Sequence, residues 1–163
     1  MLDMATLPQL IEEDVQRLED CLQDLLEKTE ASTALIIDQG GFLIASQGDR
    51  RRFDLTTIAA LASGAYLANQ TIAQLVHETS FDSIYQQGQH FSMFVLAVDD
   101  HCMLVVIFKA QLSAGVIKYF ATPAAEQIAR QMAVAQARDP GLSLDLSELN
   151  VADTTDLFKR KPY

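Results

Sequence analysis

Few residues in this chain are placed to do chemistry. Arg50, Arg51 and Arg52 stand together in a polar stretch after Gly48. A loop arginine can enter a partner's active site and stabilise charge on a transferring phosphoryl group. Three adjacent cations in a loop read more simply as a solvated surface with some affinity for anions. Asp99, Asp100, His101 and Cys102 place metal-ligating atoms in a row, but between two apolar runs they read as a hairpin tip of solvated acids. Glu12, Glu13 and Asp14 form a carboxylate cluster on what reads as a solvated helix face. His77, His90 and His101 fall in unrelated settings. There is no glycine-rich phosphate loop ending in Lys-Ser/Thr, no His-Glu-x-x-His, no Gly-x-Ser-x-Gly and no Cys-x-x-Cys. The expectation is a chain with no catalytic residue, no metal site and no cofactor.

Charge and composition narrow the partners. The 163 residues carry a formal net charge of −10, which argues against nucleic acid, because phosphate binding relies on Lys and Arg. The charge is uneven: residues 1–30 hold nine acids against Arg17 and Lys28. Cys21 and Cys102 are too few and too distant for a disulfide framework and read as small core residues. No apolar run reaches the ~18–20 residues that span a bilayer. Residues 1–9 lack a basic region, so no signal peptide is expected and the chain reads as cytoplasmic, without membrane insertion.

The elements that would position any site follow from periodicity. Ile11, Val15, Leu18, Leu22, Leu25 and Leu26 have helical spacing over residues 8–28, with Thr6 and Gln9 resembling a capping box. Residues 34–38 and 42–46 read as strands joined by Gln39-Gly40-Gly41. A second helix is predicted over 55–77 with Asp54 as its N-cap. Three antiparallel strands follow at 83–87, 91–98 and 102–108, joined by Gly88-Gln89 and Asp99-Asp100. The last two are continuously apolar, which implies cover on both faces, whereas the first is short and polar, as an edge strand would be. A third helix starts after Ser113, and Pro123 inside it predicts a kink or a break. The order is α-β-β-α-β-β-β-α, an α+β fold over residues 1–135, followed by a tail over 136–163 with one short amphipathic segment.

The second helix is the informative one. Residues 55–77 contain no Asp, Glu, Lys or Arg. Ile58, Leu61, Ala65, Ala68, Ile72 and Val76 gather on one side and are expected to face the sheet. The opposite side carries Thr56, Ala60, Ser63, Gly64, Leu67, Gln70, Thr71 and Gln74. An exposed helix face normally holds charges. A small, smooth, neutral one fits a helix buried in a larger core, which a chain of this length could hardly build, pairing with a second copy, or docking of another protein; depletion of charge at interface cores fits either of the last two.

The segment Leu35-Ile36-Ile37-Asp38-Gln39-Gly40-Gly41-Phe42-Leu43-Ile44-Ala45-Ser46, the Ala/Gly-rich neutral helix, and Val106-Ile107-Phe108 followed by Ser113-Ala114-Gly115-Val116-Ile117-Lys118 resemble a Roadblock/LC7 domain. More narrowly, the chain resembles the bacterial MglB type, which partners a Ras-like GTPase of MglA type. The tail, Ser147-Glu148-Leu149 through Asp156-Leu157-Phe158, is similar to that type's C-terminal extension. The resemblance implies a five-stranded antiparallel sheet flanked by helices on both faces, with the second helix alone on one of them. It also implies a homodimer made by pairing second helices and adjoining third strands into a continuous sheet. Partner-binding residues would be Ala60, Ser63, Gly64, Leu67, Thr71 and Gln74 on the paired helices, with Leu157 and Phe158 as tail anchors. The implied role is to bind a Ras-like small GTPase and stimulate GTP hydrolysis without inserting an arginine. A scaffold that leaves hydrolysis unchanged is the alternative.

Overall fold

The computed structural model describes residues 7–138. Its elements run α1 (Glu12–Thr29), β1 (Thr33–Asp38), β2 (Leu43–Gly48), α2 (Leu55–Leu75), β3 (Ser83–Gln86), β4 (Phe91–Ala97), β5 (Cys102–Lys109) and α3 (Ala114–Ala137). The five strands form one antiparallel sheet in the order β2-β1-β5-β4-β3. The α+β order expected from the sequence is the one observed.

Burial explains the strand patterns. β5 lies at the centre, and its residues from Cys102 to Phe108 are buried on both faces, so continuous apolarity did mark a doubly covered strand. β3 is the short edge strand, with Tyr85 and Gln86 exposed. On one face of the sheet, Leu18, Cys21, Leu22 and Leu25 of α1 pack with Ile117, Ala121, Ile128 and Met132 of α3 over Ile36, Leu104, Val106 and Phe108. On the other face α2 alone supplies cover: Leu55, Ala59, Ala62 and Tyr66 meet Leu35, Ile37, Val95, Met103, Val105 and Ile107. Both cysteines are buried, and burial pushes their thiols upward.

Three local expectations change. α1 begins at Glu12, not near Pro8, and its capping partner is Asp14: the Ile11 backbone N–H donates to Asp14 Oδ2 at 2.9 Å. Thr6, the expected cap, lies outside the described residues. Asp14 is not solvated either. It is 1% exposed and accepts from Gln131 Nε2 at 2.8 Å and from both Arg138 terminal nitrogens at 2.7 and 3.0 Å. A bidentate guanidinium in a buried setting is a strong pairing, and it ties the first turn of α1 to the end of α3. Pro123, by contrast, does not break α3, which runs unbroken through it. Pro123 is exposed, so the carbonyl freed by its missing N–H is on the hydrated side.

The Arg138 hydrogen bond, with smaller contributions from the Ile11 amide and Gln131, overcomes desolvation and lowers the Asp14 pKa to about 2. Its contribution is complete above the unfolded value near 3.8 and is lost as pH falls through about 2, worth on the order of 2 kcal/mol. Denaturant titrations between pH 5 and pH 2 should therefore show a steeper loss of stability for the native sequence than for Asp14→Asn. Parallel pH profiles would contradict the role of this pair.

Candidate functional site

The α2 face is assembled by three anchors. Asp54 Oδ1 accepts from the Thr57 backbone N–H at 3.1 Å and Oδ2 from the Thr57 hydroxyl at 2.7 Å. These bonds cap the helix as expected and hold the Asp54 carboxyl below the usual carboxylate range. The Ser63 hydroxyl donates to the Gln39 carbonyl at 2.6 Å. The Gln70 amide donates to the Phe81 carbonyl at 3.0 Å and accepts from the Phe81 N–H at 3.2 Å, fastening the helix to the segment before β3. Gly41 adds a close approach: at φ +88° it lies so near α2 that a Cβ would stand 2.9 Å from Ala60 Cα.

These anchors rotate the helix relative to the sequence-based expectation. The inward row is Leu55, Ala59, Ala62, Ser63, Tyr66 and Ala73. The row expected to face the sheet is turned by about 100°, leaving Leu61, Ala65, Ala68, Ile72 and Val76 exposed and Ile58 partly buried. The reason is steric. The sheet face already carries Leu35, Ile37, Met103 and Ile107, and Ala59, Ala62 and Ala73 let the backbone settle close to it between Leu55 and Tyr66.

Of the expected partner-binding residues, Ala60, Gly64, Leu67, Thr71 and Gln74 are exposed together on the outer face. Ser63 is not; it is 3% exposed, and its hydroxyl is occupied by Gln39. Leu157 and Phe158 lie outside the described residues. The face is also more apolar than the sequence suggested, because Leu61 is 68% and Leu75 is 75% exposed. Phe42, next to Gly41 on the β1–β2 turn, adds an aromatic that is 73% exposed. Nothing in periodicity singles out Phe42, though a large aromatic beside Gly-Gly at a turn is itself a signal.

The other candidate chemistry resolves into local structure. Arg50 donates to the Ser46 carbonyl at 2.8 Å, and the Arg51 and Arg52 backbone amides both donate to Asp49 Oδ1. Arg52 also sits 5.5 Å over the Phe91 ring. Asp99 Oδ1 accepts from the His101 and Cys102 amides, as a turn former does. Among the described residues no group of three His, Cys, Asp or Glu is placed to hold a metal, and no helix is long and apolar enough to cross a membrane.

Two glycines near the site should behave oppositely. Gly64 has open space around its missing Cβ, so Gly64→Ala should stabilise the single chain by about 0.5–1 kcal/mol through helix propensity. Gly41→Ala should destabilise it by about 1–3 kcal/mol through strain and contact with Ala60. Thermal melts of both variants, at a dilution that favours single chains, check this; a destabilised Gly64→Ala would mean that position is already packed.

The comparisons with known proteins agree with the geometry. A structure described as MglB with a tetrameric arrangement is similar at 29% identity and a TM-score of 0.75, covering 78% of this chain and 96% of that one. The gliding protein MglB from Thermus thermophilus is similar at 28% identity and TM-score 0.73, with the same coverage. Myxococcus xanthus MglB, at 23% identity, TM-score 0.74 and 81% and 98% coverage, shares the fold. No curated protein matches the chain in sequence. The Roadblock/LC7 domain model matches residues 17–108, from the middle of α1 to the end of the central strand, and the chain belongs to the Roadblock/LC7 family.

Proposed function

We propose that this chain is a homodimeric regulator of a Ras-like small GTPase of the MglA type, working in the cytoplasm. The GTPase is bound on a platform of paired α2 helices, and its hydrolysis is stimulated without an inserted arginine. The observation that carries the reading is the outer face of α2. It combines exposed Leu61, Leu67, Ile72 and Leu75 with small Ala60, Gly64 and Ala68 and holds no charge along the helix. Similarity to solved MglB structures supports assigning that face to the same system.

Pairing of two copies has its own support. β3 is an edge strand with exposed Tyr85 and Gln86. Beside it the sheet face under-covered by α2 opens a groove of about 340 Å³ lined by Phe53, Ile58, Phe91, Met93 and Ile107. Ile58 heads the helical row that continues through Leu61, Ala65, Ala68 and Ile72. A second copy laid along β3 would bury that row and the open sheet face together, leaving Ala60, Gly64, Leu67, Thr71 and Gln74 for the GTPase. The Arg50 guanidinium is held by the Ser46 carbonyl and that of Arg52 lies over Phe91 beside Asp49, which supports activation by stabilising a GTPase conformation whose own groups reach the γ-phosphate.

Two measurements test the two surfaces. Leu61→Glu should leave the single chain folded, because Leu61 is exposed, and should halve the mass measured by light scattering; an unchanged dimer removes the row from the interface. Leu67→Arg should weaken binding of an MglA-type GTPase by more than roughly a hundredfold, since it desolvates an unpaired charge. GTP turnover by that GTPase should rise with the native chain and not with this variant. Tight binding with no change in turnover would favour the scaffold reading.

A further inference from the structure

The α1–α3 layer carries a second surface, on the opposite side of the sheet from α2. A groove of about 740 Å³ lies where the last turn of α1 approaches the first half of α3, lined by Lys28, Lys118, Tyr119, Phe120, Thr122 and Pro123. Tyr119 is 74% exposed and meets Phe120 edge-on, with ring centroids 5.1 Å apart. Lys28 is paired with Asp24 at 2.6 Å, whereas Lys118 makes no ion pair among the described residues. Pro123 lacks an N–H, so the Tyr119 carbonyl loses its helical donor and leaves an acceptor on the same turn. The groove therefore offers aromatic surface, one available cation and one backbone acceptor.

The chain itself contains a segment of matching chemistry. Residues 139–163 lie outside the described residues and follow Arg138, which Asp14 holds at the far end of the same helix layer. From Ala137 back to Tyr119 is about 27 Å along α3, a span that eight or nine extended residues cover. Residues from about 147 onward therefore reach the groove. Residues 148–158 contain Glu148, Asp153 and Asp156, no base, and the large apolar side chains Leu149, Val151, Leu157 and Phe158. We infer that residues 148–158 dock in the Lys118–Tyr119 groove of their own chain, apolar side chains against the aromatic pair and acids toward Lys118. This does not rest on the GTPase reading. If the tail also engages a GTPase, the groove and the GTPase compete for Leu157 and Phe158, and the tail is withheld until the partner arrives.

Nuclear magnetic resonance on the full-length, ¹⁵N-labelled chain tests it. The double variant Leu157→Asp/Phe158→Asp should shift the backbone amides of Gly115, Lys118 and Thr122 while leaving those of Gly64 and Leu67 in place. Reciprocally, Tyr119→Glu should move the resonances of residues 149–158. Tyr119 is on the surface, and an unchanged melting temperature confirms the fold. Groove amides that ignore the tail variant would overturn the inference. Shifts that grow with protein concentration would do so too, by placing a different molecule's tail in the groove. Neither readout involves a GTPase, so failure here leaves the α2 reading untouched, and loss of GTPase binding by Leu67→Arg leaves this one untouched.

Discussion

A sheet of five strands is about 24 Å wide, and one helix is about 10 Å across. That mismatch governs this molecule. β5 is apolar on both faces, so both faces must be kept from water. On one, α1 lies over β1 and β2 while α3 lies over β4 and β5, and Tyr85 of β3, stacked on Phe108, is left exposed at the edge. On the other, α2 lies against β1 and β2, and Ile84, Phe91 and Met93 toward the β3 edge remain only partly buried. Two helices share the cover of one face, and a single helix must serve the other.

The helix that does the covering is specialised for closeness. Ala59, Ala62 and Ala73 bring its backbone onto the sheet, and Gly41 lets the β1–β2 turn come up against Ala60. With Ala59, Ala62 and Ala73 used inward beside Leu55 and Tyr66, Leu61, Leu67 and Ile72 are turned to water. Apolar side chains on an exposed face are tolerated singly, but a contiguous uncharged stretch marks an interface. The absence of charge from residues 55–77, visible in the residues alone, thus has a structural setting: one side of this helix packs on the sheet, and the other is the exposed apolar face proposed above as an interface.

Much of this was legible in the residues. Strand number, hairpin turns, the edge character of β3 and the caps Asp54 and Ser113 all followed from alternation, continuous apolarity and turn chemistry. The rotation of α2 was not, because a helix apolar on two sides gives periodicity nothing to choose between; side-chain volume against the sheet made the choice. Asp14 was misplaced for a different reason. It shares the inward row with Leu18, Cys21 and Leu25, a spacing that pointed to burial, but its partner Arg138 is 124 residues away and no local pattern could join them. At Pro123 propensity forecast a kink or a break, and α3 runs through it without a break.

The pairing of Asp14 with Arg138 has a mechanical side. Because it clamps the last turn of α3 to the first turn of α1, the point at which residues 139–163 are attached is fixed on the α1–α3 layer. For any segment joined to a fixed point, effective concentration at a surface site depends on the distance of that site from the point. A single buried ion pair thereby sets the distance from that attachment point to every surface site of the domain.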